Sequence, residues 1–217
     1  MYKTVVFDLD GTLLNTLTDL ADAGNRLCRK YGWPTHERQA YRYFVGNGIP
    51  KLVERLAPAD QRTPAVLEAA LADFKRDYGQ HLRDTTAPYP GIPEMLAKLK
   101  ASGVQLAVFS NKADALAKEV VKDYFGTQYF TIVRGQMTGV APKPAAEGTN
   151  ALLQALHADP ASTLYVGDSN VDVETAHNAN LPCCGAVWGF RTREELNAAG
   201  AEYLAENSDE LYDVIMK

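Results

Sequence analysis

Cysteine is scarce in this chain. Its 217 residues hold three, Cys28, Cys183 and Cys184. An odd count with one adjacent pair does not make a disulfide framework and suits a reducing compartment. Positive charge is not in excess: 22 lysines and arginines face 27 aspartates and glutamates, for a net charge of −5. That balance lacks the basic footprint of a nucleic-acid binder. No apolar stretch approaches the length of a membrane span. Asp8 and Asp10 interrupt the first apolar run, so no secretory signal is expected there. The expected setting is the cytoplasm, without nucleic-acid or membrane partners. There is no internal repeat and no low-complexity tract.

What is present is a globular composition, 46% hydrophobic and 23% charged, with chain enough for a sizeable core and for one domain or two small ones. Thr4-Val5-Val6-Phe7 is continuously apolar and β-rich, which suits a strand buried on both faces. From Asn15 the period turns helical through Leu17, Leu20, Ala21, Leu27 and Tyr31, with Gly32 and Pro34 as stop signals. Three more helices are expected. Thr35 would cap one ending near Val45-Gly46, Pro50 would start a short one through Leu56, and Thr63-Pro64 would open one running to about Leu82. No strand pattern interrupts this block, so residues 15–85 read as a helical insertion between residues 1–14 and 86–217.

After a turn-rich connector (Asp84–Gly91) the pattern alternates. Helices over 92–101, 113–124, 145–156 and 171–179 lead into strands over 104–109, 129–133, 163–166 and 184–187, with a last short strand near Tyr203-Leu204. Such alternation predicts an α/β core with a doubly wound parallel sheet. In these sheets the chemistry gathers at the carboxyl ends of the strands. Those ends carry Asp8 and Asp10; Ser110, Asn111 and Lys112; and Gly167, Asp168, Ser169 and Asp172. Lys143 lies in the loop between, flanked by Pro142 and Pro144.

Carboxylates packed this closely repel, at about 4 kcal/mol per pair for ~4 Å and an effective dielectric of about 20. Lys143 supplies one opposing charge, too few to balance them. A hard divalent cation is the economical remedy, and Mg²⁺ with carboxylates, waters and a substrate phosphate oxygen suits best. Soft-metal sites fit poorly, because His36, His81, His157 and His177 are scattered away from these strand ends. An aspartate beside Mg²⁺ can attack phosphorus to form an aspartyl-phosphate. Asp10 would protonate the leaving oxygen, then take a proton from the hydrolytic water, with neighbouring carboxylates helping it hold a proton. Ser110 and the N–H groups of the following helix start would hold the phosphoryl group.

In this order the motifs resemble those of the haloacid dehalogenase-like phosphatases: Asp8-Leu9-Asp10-Gly11-Thr12, Ser110, Lys143, then Gly167-Asp168-Ser169 with Asp172. The resemblance covers essentially the whole chain, and the helical insertion is similar to that family's cap. It implies Asp8 as nucleophile and Asp10 as general acid/base. Asp8, the backbone carbonyl of Asp10, and Asp168 would bind Mg²⁺, with Ser169 and Asp172 supporting the site. Gly11, Thr12, Ser110, Asn111 and Lys143 would bind phosphate. Asp10 argues against the dehalogenases proper, whose halide leaving group needs no acid.

Phe44–Gly48, Pro88–Leu96 and Trp188–Leu196 are similar to segments of phosphoglycolate phosphatases. The implied partner is a small phosphorylated metabolite, foremost 2-phosphoglycolate. A sugar phosphate, nucleotide or pyrophosphate comes next; a phosphomutase on the same core and a non-catalytic phosphate-binding protein are the other readings. Many relatives carry Asp where this chain has Asn15, beside the expected cap hinge. Gly46-Asn47-Gly48 reads equally as a helix–helix turn or a substrate loop. Arg42, Asn47 and Lys51 are the candidates for cap specificity, set against plain surface solvation for the two cations. Arg191 and Arg193 read as exposed helix-start charges, and Cys183-Cys184 as core and surface alternation.

Overall fold

Four consecutive apolar-leaning residues seed the sheet: β1 (Thr4–Phe7) is buried along its whole length in the computed structural model, which describes residues 1–217. In chain order there follow β2 (Leu14–Asn15), α1 (Leu17–Tyr31), α2 (Arg38–Phe44), α3 (Ile49–Leu56), α4 (Pro64–Gln80), β3 (Ala87–Pro88), α5 (Ile92–Ala101), β4 (Gln105–Ala113), α6 (Asp114–Phe125), β5 (Phe130–Gln136), α7 (Ala146–Leu156), β6 (Thr163–Gly167), α8 (Asn170–Asn178), β7 (Cys183–Ala186), α9 (Arg193–Ala198), β8 (Tyr203–Ala205) and α10 (Ser208–Met216). The chain forms two compact units, Met1–Asn15 with Pro88–Lys217, and Thr16–Ala87.

The first unit is an α/β fold on a six-stranded sheet of order β5-β4-β1-β6-β7-β8, paired in parallel throughout. Its chain starts in the middle, builds outward through β4 to β5, then crosses β1 to add β6, β7 and β8. The reversal of direction about β1 opens a crevice at the carboxyl ends of β4, β1 and β6. Phe7 lies level with Val108 on one side and Val166 on the other, so Asp8 leaves the sheet between the later residues of β4 and the end of β6. Val6, Ala107, Leu152, Leu156, Tyr165, Ala176 and Leu196 form the core beneath. Full burial of a Val, Leu or Phe there contributes roughly 1.5–3 kcal/mol.

Three expectations for this unit need correction. β4 does not stop at Phe109 but runs on through Ser110, Asn111 and Lys112 to Ala113, with a register shift against β5 between Phe109 and Ala113. Cys183 and Cys184 do not alternate between core and surface; both are fully buried, because β7 is an interior strand. Arg191 is buried, whereas Arg193, the first residue of α9, is exposed and paired with Glu206. The helix α10 and the two-residue strands β2 and β3 have no counterpart among the expected elements.

The second unit is four helices. Gly32 ends α1 in the left-handed conformation, and Thr63 caps α4 by accepting from Val66 N–H. Thr35 caps nothing: α2 starts after Glu37, because Asn25 bonds both the N–H and the carbonyl of His36 at 2.9 Å and holds that segment extended. The aromatic run of α2 divides: Tyr43 is exposed, Phe44 is half-buried, and Tyr41 is fully buried against Gly24, where a Cβ would lie 2.5 Å from the ring. One carboxylate is buried here. Asp19 accepts from the N–H and hydroxyl of Thr85 (2.9 and 2.5 Å) and of Thr86 (2.9 and 2.7 Å), tying the first turn of α1 to the far end of the unit.

Candidate active site

The turn after β1 is built by backbone hydrogen bonds. Asp8 N–H donates to Val166 O at 2.8 Å, which keeps Asp8 beside β6. The carbonyl of Leu9 accepts from Thr12, Leu13 and Leu14, and Gly11 N–H donates to Leu14 O. Gly11 has φ +93°, and a Cβ there would lie 2.2 Å from Asp168 Oδ2. Glycine is therefore required twice over, for the turn and for the approach of a carboxylate. Gly189 does the same from the opposite side, where a Cβ would meet Asp168 Cβ at 2.2 Å.

Asp168 is held in this slot by Phe190 N–H at 2.7 Å to Oδ2 and by the Thr12 hydroxyl at 3.2 Å to Oδ1. Asp172 closes a capping box at the start of α8, where its Oδ2 accepts from Ser169 N–H (3.1 Å) and Oγ (2.7 Å). Its Oδ1 takes Lys143 Nζ at 2.7 Å. That ammonium also lies 3.2 Å from Tyr165 Oη and 3.4 Å from Phe109 O. Its distance to Asp8 Oδ1 is 2.8 Å. The direction of this last contact does not make a hydrogen bond, so Asp8 Oδ1 is ion-paired yet otherwise without a partner.

A second buried cation completes the inventory. Lys112 Nζ lies 3.1 Å from Asp10 Oδ1 and 3.5 Å from Oδ2, with the lysine side chain 2% exposed and that of Asp10 14%. Four carboxylates (Asp8, Asp10, Asp168 and Asp172) thus face two ammonium groups (Lys112 and Lys143), an excess of two negative charges. Carboxylate oxygens of Asp8, Asp168 and Asp172 lie within 4.8 Å of one another. The excess of carboxylates over ammonium groups and the all-oxygen donor set together fit a hard divalent cation.

The electrostatics agree. Burial pushes the Asp8 carboxyl up to about 7, with Lys143 opposing the rise and Asp172 and Asp10 adding to it. Burial, then the charges of Asp172 and Asp8, hold Asp168 well above the usual carboxylate range, against the opposing donors Phe190 and Thr12. For Lys143, burial works to discharge the ammonium, but Asp172 and Asp8 outweigh it and its value lies well above that of an ordinary lysine. Asp8 and Asp168 thus hold protons more readily than ordinary carboxyls, and a bound cation would compete with those protons.

The structure brings Asp8, Asp10, Gly11, Thr12, Ser110, Asn111, Lys143, Asp168, Ser169 and Asp172 to the carboxyl ends of β1, β4 and β6, but gives several of them other partners. Ser110 and Asn111 belong to β4 and do not cap the next helix, which starts after Ala113. Asn111 accepts Lys143 N–H at 2.9 Å and donates to Lys143 O at 3.3 Å, so it fastens the lysine loop. The Thr12 hydroxyl is turned to Asp168. Asp10 has an ammonium as its charged partner, where carboxylate neighbours were expected. Three contributors lay outside the sequence reading: the pairing of Lys112, the phenol of Tyr165, and the Gly189-Phe190 backbone. Lys112 alone had a signal, since residues two apart on a strand share a face and Ser110 precedes it by two.

The helical unit holds the remaining candidates. Asn47 Oδ1 accepts from Arg55 at 2.8 Å, and Arg55 also donates to Phe44 O at 2.7 Å, so an unforeseen arginine fixes the Gly46-Asn47-Gly48 turn. Lys51 pairs with Glu54 on the surface of α3, and Arg42 is half-buried near the end of α2.

Comparison with known proteins places this geometry among relatives. Residues 5–186 match the family model described as haloacid dehalogenase-like hydrolase. A phosphoglycolate phosphatase of Chromobacterium violaceum is 31% identical over 216 residues, 98% of this chain and 96% of that protein. One from Thiobacillus denitrificans is 31% identical over 191 residues, covering 87% and 84%. A solved structure from Lactobacillus delbrueckii subsp. bulgaricus, provisionally classed with the phosphoglycolate phosphatases, is similar with a TM-score of 0.93 at 28% identity, over 99% of this chain and 98% of that one.

Proposed function

The chain belongs to the haloacid dehalogenase-like hydrolase family and is a phosphoric monoester hydrolase, and on that premise we propose that it hydrolyses 2-phosphoglycolate through a phosphorylated Asp8, with Mg²⁺ as its cofactor. The observation that carries the chemistry is the buried trio of Asp8, Asp168 and Asp172, two of them ion-paired with Lys143, with Asp10 two residues beyond Asp8. The names of the two curated relatives support the substrate.

Asp8 presents a buried carboxylate oxygen whose one close partner is the Lys143 ammonium, which suits a nucleophile. It attacks phosphorus as the ester P–O bond breaks, and Asp10 gives a proton to the departing glycolate oxygen. Water then attacks the same phosphorus, Asp10 takes its proton, and the acyl-phosphate P–O bond breaks to restore Asp8. Lys143 faces Asp8 and offsets negative charge gathering on the phosphoryl oxygens. Asp8, Asp168 and the Asp10 carbonyl would hold Mg²⁺, which when bound supplies further compensation for that charge. Asp172 acts indirectly, by fixing Lys143 and the start of α8. The helical unit, expected over residues 15–85 and found as Thr16–Ala87, serves as the cap that sets substrate choice, with Arg42, Asn47 and Lys51 as candidate contacts.

Steady-state phosphate release from a panel of phosphomonoesters, with and without Mg²⁺, tests the reading. The expected outcome is the highest kcat/KM for 2-phosphoglycolate and negligible turnover in chelator. A higher value for a hexose phosphate overturns the substrate, and metal-independent turnover overturns the cofactor. Asp8→Asn should lose at least ~10³-fold in kcat with its circular dichroism unchanged; retained activity removes Asp8 as nucleophile.

A further inference from the structure

We propose that Lys112 is a positioning residue for Asp10, fixing the second aspartate of the catalytic pair through a buried ion pair that spans adjacent strand ends. The inference rests on the reading of Asp10 as the proton carrier. Asp10 lies in the irregular turn beyond β1, held by backbone bonds at Gly11 and Leu14, and no helix or strand fixes its side chain. A carboxylate there has rotamer freedom, and proton transfer needs it within hydrogen-bond reach of the leaving oxygen. Lys112 limits that freedom. It lies on β4, the strand beside β1, and its Nζ reaches both Asp10 oxygens, at 3.1 and 3.5 Å. The extension of β4 past Phe109 makes this possible, because it places Lys112 on the face already used by Ser110. Ser110 Oγ accepts the Lys112 N–H at 3.3 Å, so the residue proposed to hold phosphate also anchors the lysine backbone.

Burying an ammonium is costly unless it is paired, and the Lys112 side chain is 2% exposed with Asp10 as its carboxylate partner. The site therefore holds two lysines with separate tasks. Lys143 faces Asp8 and Asp172, and Lys112 faces Asp10. Neither can substitute for the other.

A double-mutant cycle in kcat separates this role from a merely structural one. The variants are Lys112→Met, Lys112→Arg, Asp10→Asn and the Lys112→Met/Asp10→Asn pair, assayed with 2-phosphoglycolate and with p-nitrophenyl phosphate, whose leaving group needs no proton. Asp10→Asn is expected to lose much more kcat on phosphoglycolate than on the aryl ester. Lys112→Met should follow the same pattern at smaller amplitude, losing ~10- to 100-fold on phosphoglycolate with KM within about 2-fold. In the Asp10→Asn background, Lys112→Met should cost no more than about 2-fold, and Lys112→Arg should restore part of the single-variant loss. Equal losses in both backgrounds, or a loss confined to KM, overturns the proposal and makes Lys112 a substrate contact or a scaffold residue. If Asp10→Asn shows no leaving-group dependence, the reading of Asp10 fails instead, and the two failures are told apart.

Discussion

The two units of this protein treat charge in opposite ways. In the sheet unit, three aspartates and two lysines are buried outright, within bonding distance of one another at the ends of three strands. In the helical unit the one buried carboxylate, Asp19, is satisfied by neutral donors, and the ion pairs lie along helix surfaces: Arg26 with Asp77, Lys30 and Arg76 with Asp73, Lys51 with Glu54. Exposed pairs of this kind contribute ~0–1 kcal/mol and are screened by salt. The buried cluster has burial against it and three of its carboxylates repelling one another, so fold stability does not account for it. Charge that a fold would do better without marks where the chemistry is done.

Removing one ion from each setting sharpens the contrast. The largest effect is expected for Lys143→Met, which strands Asp8 and Asp172 without their counter-charge. Chemical denaturation should show a loss of about 3–5 kcal/mol, and phosphatase assays a fall in kcat of ~10²-fold or more. Wild-type stability in this variant would mean that the aspartates do not need the lysine.

A smaller effect appears in the pH dependence of the metal-free protein. Asp8 holds its proton up to about pH 7 when folded, against about 3.9 for an unfolded aspartate. Between those values the folded state binds more protons than the unfolded, so the contribution of this group to stability falls as pH rises and levels off above about 7. Calorimetry in chelator should show Tm declining from about pH 5 to about pH 8. Saturating Mg²⁺ should reverse much of the decline, by mass action on the folded state. A metal-free Tm that climbs through that window would contradict the assigned burial of Asp8. The smallest effect belongs to the helical surface. Lys51→Gln should change stability by less than about 0.5 kcal/mol in urea titrations and vanish into error at high salt.

The same division explains what could be read from sequence. Asp8, Asp10, Lys143 and Asp168 were legible because each ends a strand or fills a loop at the sheet's carboxyl edge, and topology alone brings those edges together. Helix periods in α1 and α4 were legible because apolar spacing and caps are local. The length of β4 was not: Ser110-Asn111-Lys112 is polar and looks like a loop, and its strand character comes from pairing with β5 and from the buried partners of Asn111 and Lys112. Arg191 and Cys184 misled for the same reason, because their burial is set by neighbours distant in sequence. Arg55 carried no local sign that it would fix the Asn47 turn.

Asp19 carries a consequence of a different kind. Its two oxygens gather four donors from Thr85 and Thr86, sixty-six and sixty-seven residues further along. A single side chain thereby closes the helical insertion into a ring at its own neck. The entropy of joining the segment's two ends is thereby offset within the segment itself. Removing the Asp19 carboxylate would leave those four donors without their shared acceptor and free both ends of the segment together.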